Sequence, residues 1–299
     1  MPTVSIGMPV FNDVKFLPKA LDSLLSQTFI DFELIISDDC SSDGSQEVCL
    51  NYAKLDSRIK YIRQERNIGI SKNMMYLLQK AKGDYFMWAG NDDLWHRDFI
   101  SKLVHALQKG KSCVSAFGPY IDIDEKGNPI SGIKKINYTN PEVRQRLTGL
   151  IKIFNDAFGY GLFVRKNILG VKFPVWWGIN KICAYDNIFP TLCYYLAKGD
   201  FCYVENEEPL WYNRWKSKKN INHKIPYHNN FILGYFAYAI RKLNLVWISV
   251  IEIYRAEKNI GLVLSVFPRL FFSWFLIPVF YKIHTKYHFY KIQGPEIFI

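Results

Sequence analysis

Two apolar runs in this chain end abruptly in adjacent acids: Phe32-Glu33-Leu34-Ile35-Ile36-Ser37-Asp38-Asp39 and Tyr85-Phe86-Met87-Trp88-Ala89-Gly90-Asn91-Asp92-Asp93. Continuous apolar runs are typical of parallel strands that are buried on both faces. In open α/β sheets, ligands bind beyond the carboxyl ends of such strands. Because neighbouring carboxylates repel one another, two acidic pairs at one sheet edge predict a shared cation, a polar ligand or both.

Strand and helix patterns alternate through the first half of the chain. Strand-like runs occupy residues 4–10, 34–37, 59–62 and 85–89, and helical spacing of apolar residues covers 15–27, 44–54 and 71–81. Parallel strands need crossover helices, so this alternation predicts a doubly wound α/β sheet. Past Leu107, a turn signal at Asp124–Asn128 lies between residues 112–123 and 129–136 and predicts added antiparallel strands.

The basic charge is concentrated at the C-terminal end. The 299-residue chain has a formal net charge of +11, and the segment from Leu210 onward holds 13 basic and 3 acidic residues. At 49% hydrophobic residues, the chain can bury a large core as one domain or two. The lysines and arginines of the tail alternate with too many apolar residues for a solvated phosphate groove, which argues against nucleic acid as a partner.

The cysteines predict a reduced protein. There are six, with no CxxC pair and no zinc-ligand spacing, and a chain of this length needs no disulfide scaffold. The N-terminus enters the strand-like run Val4–Val10 at once, without the pattern of a secretory signal. We therefore expect a cytoplasmic location.

Five short motifs resemble, in order and spacing over residues 3–105, the family 2 inverting glycosyltransferases of GT-A fold. They are Met8-Pro9-Val10-Phe11-Asn12, Ser37-Asp38-Asp39 with Ser41-Ser42-Asp43-Gly44-Ser45, Asn67-Ile68-Gly69-Ile70-Ser71-Lys72-Asn73, Gly83-Asp84-Tyr85 and Asn91-Asp92-Asp93. The resemblance weakens toward Trp215 and fades beyond it. It implies a nucleotide-sugar-binding half over 1–110 and an acceptor-binding and catalytic-base half over 111–215. The linker-like run Lys216-Ser217-Lys218-Lys219-Asn220 predicts a separate helical, membrane-associating region over 216–299.

The resemblance implies a nucleotide-sugar donor, usually a UDP-sugar, bound with Mn²⁺ or Mg²⁺. Asp39 would accept a hydrogen bond from the uracil imide, and Phe11 would lie near the base, where the family more often has tyrosine. Lys72 stands where the family usually has an arginine and would meet the diphosphate as a point charge. The implied donor-binding residues are Pro9, Phe11, Asn12, Asp39, Asn67, Gly69, Lys72, Asn91, Asp92 and Arg214.

The implied metal site departs from the family pattern. Asp92 aligns with the last acid of the DxD motif, whereas Gly90 stands where the first acid is expected. Metal binding is therefore predicted to depend on Asp92 together with Asp93.

For the acceptor side, the resemblance places Asp186 as the catalytic base that takes the proton of the acceptor hydroxyl. Trp176 and Trp177 are predicted either to bind an acceptor sugar or to pack in the core. Structural alternatives stay open for several of the acids: Asp38, Asp39 and Asp186 can cap helices, and capping is favoured for Asp43. Lys72 can also be a solvated lysine on a helix face.

The tail suggests a membrane surface as partner. Two long aromatic-rich segments cover residues 229–256 and 260–283, and the second contains Pro268, Arg269 and Pro278. A basic, aromatic-rich amphipathic segment is typical of helices that lie in the lipid headgroup plane. A helical cap on the core and a true membrane span are the alternatives.

Together these features predict an enzyme at the cytoplasmic face of the inner membrane. It would transfer a sugar to a hydroxyl of a glycan or lipid-linked acceptor in surface-polysaccharide, lipopolysaccharide or lipooligosaccharide biosynthesis. The alternatives are an inactive GT-A-like binding module and a nucleotidyltransferase. The latter would need a glycine-rich basic phosphate loop after the first strand, which Pro9-Val10-Phe11-Asn12 does not provide.

Overall fold

The computed structural model describes residues 1–110, 112–152, 155–173, 175–177, 184–186, 189–214 and 231–276. These residues belong to two compact units. The first comprises the described residues of 1–143, 155–173 and 198–221, and the second those of 144–154, 174–197 and 222–299. The boundaries predicted near residues 110 and 215 stay a prediction.

The first unit contains most of the strands. They are β1 (Val4–Val10), β2 (Phe32–Asp38), β3 (Ile59–Arg63), β4 (Tyr85–Trp88), β5 (Leu94–Trp95), β6 (Cys113–Phe117), β7 (Tyr120–Ile123), β8 (Leu162–Val164), β11 (Asp200–Tyr203) and β12 (Trp211–Arg214). Its helices are α1 (Leu17–Leu25), α2 (Ser45–Leu55), α3 (Ile70–Lys80), α4 (Phe99–Lys109) and α6 (Arg165–Ile168), with a 3₁₀ turn at Ala157–Tyr160.

One large sheet organises this unit, with the strand order β11-β6-β8-β4-β1-β2-β3. Strand β1 pairs in parallel with β2 and β4, β2 with β3, and β6 with β11, while β8 runs antiparallel to both β4 and β6. All seven residues of β2 are buried, as expected for a parallel strand covered on both faces. The predicted α/β sheet, mainly parallel with antiparallel additions, is confirmed.

The middle of the chain differs in detail from the predicted hairpin. Residues 112–123 divide into β6, in the large sheet, and β7, in a smaller sheet of order β5-β12-β7. Residues 129–136 contribute two isolated bridges, Tyr120 with Lys134 and Ile123 with Pro129. The turn signal therefore marks a real reversal, but the antiparallel strand of the large sheet comes from β8, which has only three residues.

Cys113 and Cys202 form a disulfide, with their Cα atoms 5.7 Å apart. The expectation that the cysteines are unpaired is wrong for these two. They are 89 residues apart in sequence and meet because β6 and β11 are neighbours in the sheet. Cys40, Cys49 and Cys193 are free.

The second unit is mainly helical in its described part. It contains α5 (Val143–Lys152, whose first residue belongs to the first unit), α7 (Phe189–Lys198), α8 (Phe231–Glu257), α9 (Ile260–Leu270) and a π-helical turn at Phe271–Leu276. Helices α8 and α9 pack together, and the Asn259 side chain caps α9 by accepting the Leu262 N–H at 3.0 Å. Among the described residues, no helix combines the length and the apolarity that crossing a bilayer requires.

Two short strands of this unit carry the predicted acceptor-side residues. Strand β9 (Val175–Trp177) pairs antiparallel with β10 (Ala184–Asp186), which places Asp186 opposite Val175. The side chains of Trp176, Trp177 and Asp186 lie outside the described part of the structure.

A buried carboxylate ties the sheet together at its amino-terminal side. Glu33 of β2 accepts hydrogen bonds from Ser5 Oγ at 2.5 Å, Lys60 Nζ at 2.5 Å and the Lys82 N–H at 3.0 Å. Burial alone would raise the pKa of the Glu33 carboxyl, but these hydrogen bonds and the charge of Lys60 outweigh it, so that the pKa lies below its ordinary value. One side chain thus links β1, β2, β3 and the segment that precedes β4.

Glu33→Gln is expected to lower the free energy of unfolding by about 2 kcal/mol at neutral pH, because it removes charge-assisted hydrogen bonds from a buried site. A carboxyl whose pKa is lowered on folding stabilises the protein above the unfolded pKa of about 4.3 and loses that effect as the pH falls through the folded pKa. Urea denaturation of both proteins at several pH values measures the difference, which should shrink below about pH 4.

The control is Glu207→Gln, which changes an exposed loop carboxylate. Equal losses in the two variants, or a difference that persists unchanged at low pH, would contradict the role of Glu33.

Candidate functional site

A cavity of about 330 Å³ lies at the carboxyl ends of β1 and β2, and Asn91, which follows β4, also lines it. Its lining residues are Pro9, Val10, Phe11, Asn12, Asp13, Asp39, Asn67, Gly69, Ile70, Asn73 and Asn91. Seven of the ten predicted donor-binding residues are among them. Lys72, Asp92 and Arg214 do not line this cavity, and Lys72 is exposed on α3.

Asn12 joins the end of β1 to the loop after β2. Its backbone has a positive φ of 50°, which asparagine tolerates better than most residues. Its Oδ1 accepts the Ser42 N–H at 2.8 Å, and its own N–H donates to Ser41 Oγ at 3.0 Å. Asn12 therefore fixes one wall of the cavity.

Asp39 is held by the backbone of a third loop. One carboxylate oxygen accepts the Ile68 N–H at 2.6 Å and the other accepts the Gly69 N–H at 2.9 Å. Gly69 has a φ of 85°, a conformation that glycine adopts without strain. Each carboxylate oxygen has a second lone pair, so Asp39 is fixed in place and can still accept a hydrogen bond from a ligand.

The neighbouring acids Asp38 and Asp43 stabilise the fold by accepting hydrogen bonds from the protein itself. Asp38 is fully buried and accepts hydrogen bonds from the Ser41 N–H at 2.8 Å, Tyr61 Oη at 2.7 Å and Arg63 Nη1 at 3.1 Å. Asp43 accepts the N–H of Ser45, the first residue of α2, at 3.0 Å. The N-cap of α2 is Gly44, without a side-chain cap, so Asp43 bonds the start of the helix from one residue earlier, while Asp39 bonds the backbone ahead of α3.

The second acidic pair surrounds the position of Gly90. A Cβ built on Gly90 would lie 2.6 Å from Asp93 Oδ2 and 3.3 Å from Asp92 Oδ1. Asp93 is only 4% exposed, and its other oxygen accepts the Arg214 N–H at 2.9 Å. The Asp93 carboxylate therefore occupies space next to Gly90 that a side chain at that position would need.

Arg214 fixes the backbone around this acidic pair. Its Nε donates to the Asp92 carbonyl at 2.7 Å, and its Nη1 donates to the carbonyls of Asp124 and Glu125 at 3.0 and 2.9 Å. The guanidinium lies 5.0 Å from the ring centre of Phe16. Arg214 thus holds two loops in place, a structural role that the sequence did not predict, and its contact with a donor stays a prediction.

Tyr160 and Asp156 also belong to this neighbourhood and were missed in the sequence. Burial, reinforced by the negative charges of Asp93, Asp156 and Asp92, raises the pKa of Tyr160 well above its ordinary value. Burial likewise raises the pKa of Asp156. No motif marks these residues, because they approach the acidic pair only through the packing of the 3₁₀ turn against the sheet.

Carboxylate oxygens, such as those of Asp92 and Asp93, are the ligands that a hard divalent cation prefers. No group of three or more His, Cys, Asp or Glu side chains suited to a metal occurs among the described residues. Mg²⁺ is commonly held by one or two carboxylates together with phosphate oxygens of a substrate. Asp92 and Asp93 supply a donor set of that kind.

The sequence profile described as Glycosyl transferase family 2 matches residues 5–169, more than half of the chain. The chain belongs to glycosyltransferase family 2. The match contains every residue that lines the cavity, together with both acidic pairs.

One curated relative is the putative teichuronic acid biosynthesis glycosyltransferase TuaG of Bacillus subtilis, 31% identical over 129 residues. The match covers 43% of this chain and 51% of TuaG, so this chain spans about half the length of that relative.

Solved structures show the same fold at low identity. Staphylococcus aureus TarS 1–349 in complex with UDP-GlcNAc matches with a TM-score of 0.62 and 17% identity, over 91% of this chain and 73% of that one. The mannosyltransferase PcManGT of Pyrobaculum calidifontis, in complex with GDP-Man and Mn²⁺, matches with a TM-score of 0.50 and 16% identity, over 98% and 81%. The predicted GT-A fold of this family 2 glycosyltransferase is confirmed.

Gly90→Ala tests the packing of the acidic pair. A methyl group there would press on the buried Asp93 carboxylate, and we expect a loss of about 1–2 kcal/mol in unfolding free energy from overpacking. Thermal or urea denaturation measures it.

The matched control is Gly132→Ala, since a Cβ on Gly132 meets nothing within 4 Å. A Gly90→Ala protein as stable as the Gly132→Ala protein would show that Asp93 can move away at no cost.

Proposed function

We propose that this glycosyltransferase is inverting and moves a hexose from a UDP-sugar to a hydroxyl of a glycan or lipid-linked acceptor. The observation that carries the proposal is the fixed Asp39 carboxylate in a cavity at the carboxyl ends of the parallel strands. The TarS complex with UDP-GlcNAc supports a UDP-sugar donor, and the teichuronic acid biosynthesis named for TuaG supports a role in surface-polysaccharide biosynthesis. Lipopolysaccharide and lipooligosaccharide biosynthesis are proposed as the alternatives to it.

Base recognition follows from the chemistry of the cavity walls. Uracil has one ring N–H, and the Asp39 carboxylate is a strong acceptor for it. Phe11 is 49% exposed at the cavity and offers an apolar ring against which a base can stack. Pro9, Asn12, Asn67, Gly69 and Asn91 complete the proposed donor site.

The departing diphosphate needs positive charge near it. Asp92 and Asp93 would hold Mn²⁺ or Mg²⁺, and the bound cation would stabilise the negative charge that builds up on the leaving group. Lys72, exposed on α3, would add a point charge toward the phosphates.

Asp186 is proposed as the base that accepts the proton of the attacking hydroxyl. Attack on the face of the sugar opposite the leaving group inverts the configuration at C1. Trp176 and Trp177 are proposed to stack against acceptor sugar rings.

Asp186→Asn should lower sugar transfer at least a thousandfold while UDP binding is retained, because the amide cannot accept the proton. Released UDP, measured with a panel of UDP-sugars and lipid-linked acceptors, gives the rate, and calorimetry gives the UDP affinity. Asp200→Asn is the control, because it changes a carboxylate on β11.

Full activity of Asp186→Asn would contradict its role as the base. The same assay is repeated in EDTA, where unchanged turnover would contradict the proposed role of the cation. A wild-type chain that binds UDP but releases none from any sugar would instead be an inactive binding module, an alternative kept open by Gly90 in place of the first acid.

We also propose that the tail binds the cytoplasmic face of the inner membrane. Helix α8 exposes Leu243, Trp247, Ile251 and Tyr254 along one side, and α9 exposes Ile260, Leu264 and Phe267. These positions are three or four residues apart, so each set forms a stripe on its helix. The opposite side of α9, with Leu262, Val263, Val266 and Leu270, is buried.

The positive charge near these two apolar stripes favours an anionic lipid surface as their binding partner. Lys258 and Arg269 are exposed beside them, and the segment from Leu210 onward holds 13 basic and 3 acidic residues. Apolar and aromatic side chains enter the acyl boundary while basic residues meet the headgroups.

Replacing Trp247 and Leu264 together by serine should weaken binding to phosphatidylglycerol vesicles at least tenfold, since each buries a large apolar side chain in the lipid. Both are more than half exposed, at 60% and 65%. Co-sedimentation of the full chain with vesicles measures the affinity.

Ile130→Ser is the control, because Ile130 is equally exposed, at 56%, on the first unit. Vesicle binding that is the same in all three proteins would refute the membrane surface.

A further inference from the structure

Asn73 is a buried amide in the wall of the cavity. It lies in the first turn of α3, is 1% exposed, and lines the cavity together with Asp39. Its Nδ2 donates to the Ser37 carbonyl at 2.9 Å, but its Oδ1 is buried without a hydrogen-bond partner. An unpaired buried acceptor is unfavourable unless another molecule satisfies it.

The orientation of this amide is fixed by its partner. The Ser37 carbonyl can only accept a hydrogen bond, so the nitrogen of Asn73 must face it and the oxygen must take the other position. The backbone N–H of Asn73 donates to the Gly69 carbonyl at 3.0 Å and anchors the residue further. The free acceptor is therefore held in one place.

Two other amides at the cavity differ from Asn73 in this respect. Asn12 Oδ1 accepts the Ser42 N–H at 2.8 Å, and Asn67 Oδ1 accepts the Gly69 N–H at 3.0 Å. Both oxygens already accept hydrogen bonds from the loops that form the cavity walls. Asn73 Oδ1 accepts no hydrogen bond from the part of the chain that the structure describes.

We propose that Asn73 Oδ1 accepts a hydrogen bond from the nucleoside part of the donor and so helps to select the nucleotide. This inference rests on the proposed UDP-sugar donor. The nucleoside of UDP has few donor hydrogens, namely the ring N–H of uracil and the two ribose hydroxyls, whereas its other polar atoms are acceptors. Because Asp39 accepts the ring N–H in the proposed donor site, a fixed second acceptor in the wall pairs with one of the two ribose hydroxyls.

The experiment combines protein variants with ligand analogues. Calorimetry on the full chain measures the affinities of UDP, N3-methyl-UDP, 2′-deoxy-UDP and 3′-deoxy-UDP for wild type and Asn73→Ala. We expect Asn73→Ala to weaken UDP about tenfold and to leave the affinity for one analogue, the one that lacks the partner hydrogen, unchanged. An unchanged affinity for 2′-deoxy-UDP or for 3′-deoxy-UDP identifies the ribose hydroxyl, whereas an unchanged affinity for N3-methyl-UDP would overturn the assignment of Asn73 to the ribose.

Two further variants separate direct contact from a structural effect. Asn73→Asp keeps an acceptor but loses the donor to Ser37, so it should still distinguish UDP from that analogue. Gln64→Ala removes a different hydrogen bond to Ser37, from Gln64 Nε2 to Ser37 Oγ at 2.9 Å, and lies outside the cavity lining. It should change the affinity for all four ligands by the same factor.

Equal losses for all four ligands in Asn73→Ala would overturn the proposal, because Asn73 would then only support the fold. If wild type binds UDP, but neither wild type nor any variant differs in its affinity for UDP and for the analogues, this inference fails while the proposed donor stands. If wild type binds no UDP, the proposed donor fails with it.

Discussion

Strand β1 pairs in parallel with β2 on one side and with β4 on the other, so that three chain segments leave the sheet at the same edge. Each segment continues into a loop with polar residues: Asn12 after β1, Asp39 after β2 and Asn91 after β4. A parallel sheet cannot close these connections with tight turns, since each needs a crossover helix. The loops are therefore long enough to enclose a cavity, and the pairing of β1 decides which of them meet.

The loops at this edge support one another through buried hydrogen bonds. Asp39 holds the backbone at Ile68 and Gly69, Asn12 holds the backbone at Ser42, and Arg214 holds the carbonyls of Asp92, Asp124 and Glu125. Each contact satisfies backbone groups that would otherwise be exposed to water or left unpaired. Side chains that resemble family motifs thus have a structural role at the same time, and substitutions there change the shape of the site as well as its chemistry.

Sequence patterns predicted those structural features that depend on residues close together in the chain. The buried strands and the crossover helices followed from apolar runs and helical spacing, whereas the seven cavity residues were implied by the resemblance to the motifs of family 2 glycosyltransferases. Contacts between distant segments were missed: the antiparallel pairing of β8 with both β4 and β6, the disulfide of Cys113 and Cys202, and the approach of Tyr160 to the acidic pair. These depend on tertiary packing, which no pattern within one segment records. The unpaired oxygen of Asn73 needed coordinates for the same reason, because only a three-dimensional account shows which groups lack a partner.

The disulfide closes a covalent ring of chain between residues 113 and 202. Residues 144–154 and 174–197, which the second unit contributes before residue 222, both lie inside that ring. A single backbone cut anywhere within it leaves two fragments that remain covalently joined until the disulfide is reduced. Limited proteolysis of the oxidised protein in this region therefore yields one species of undiminished mass on a non-reducing gel and two on a reducing one.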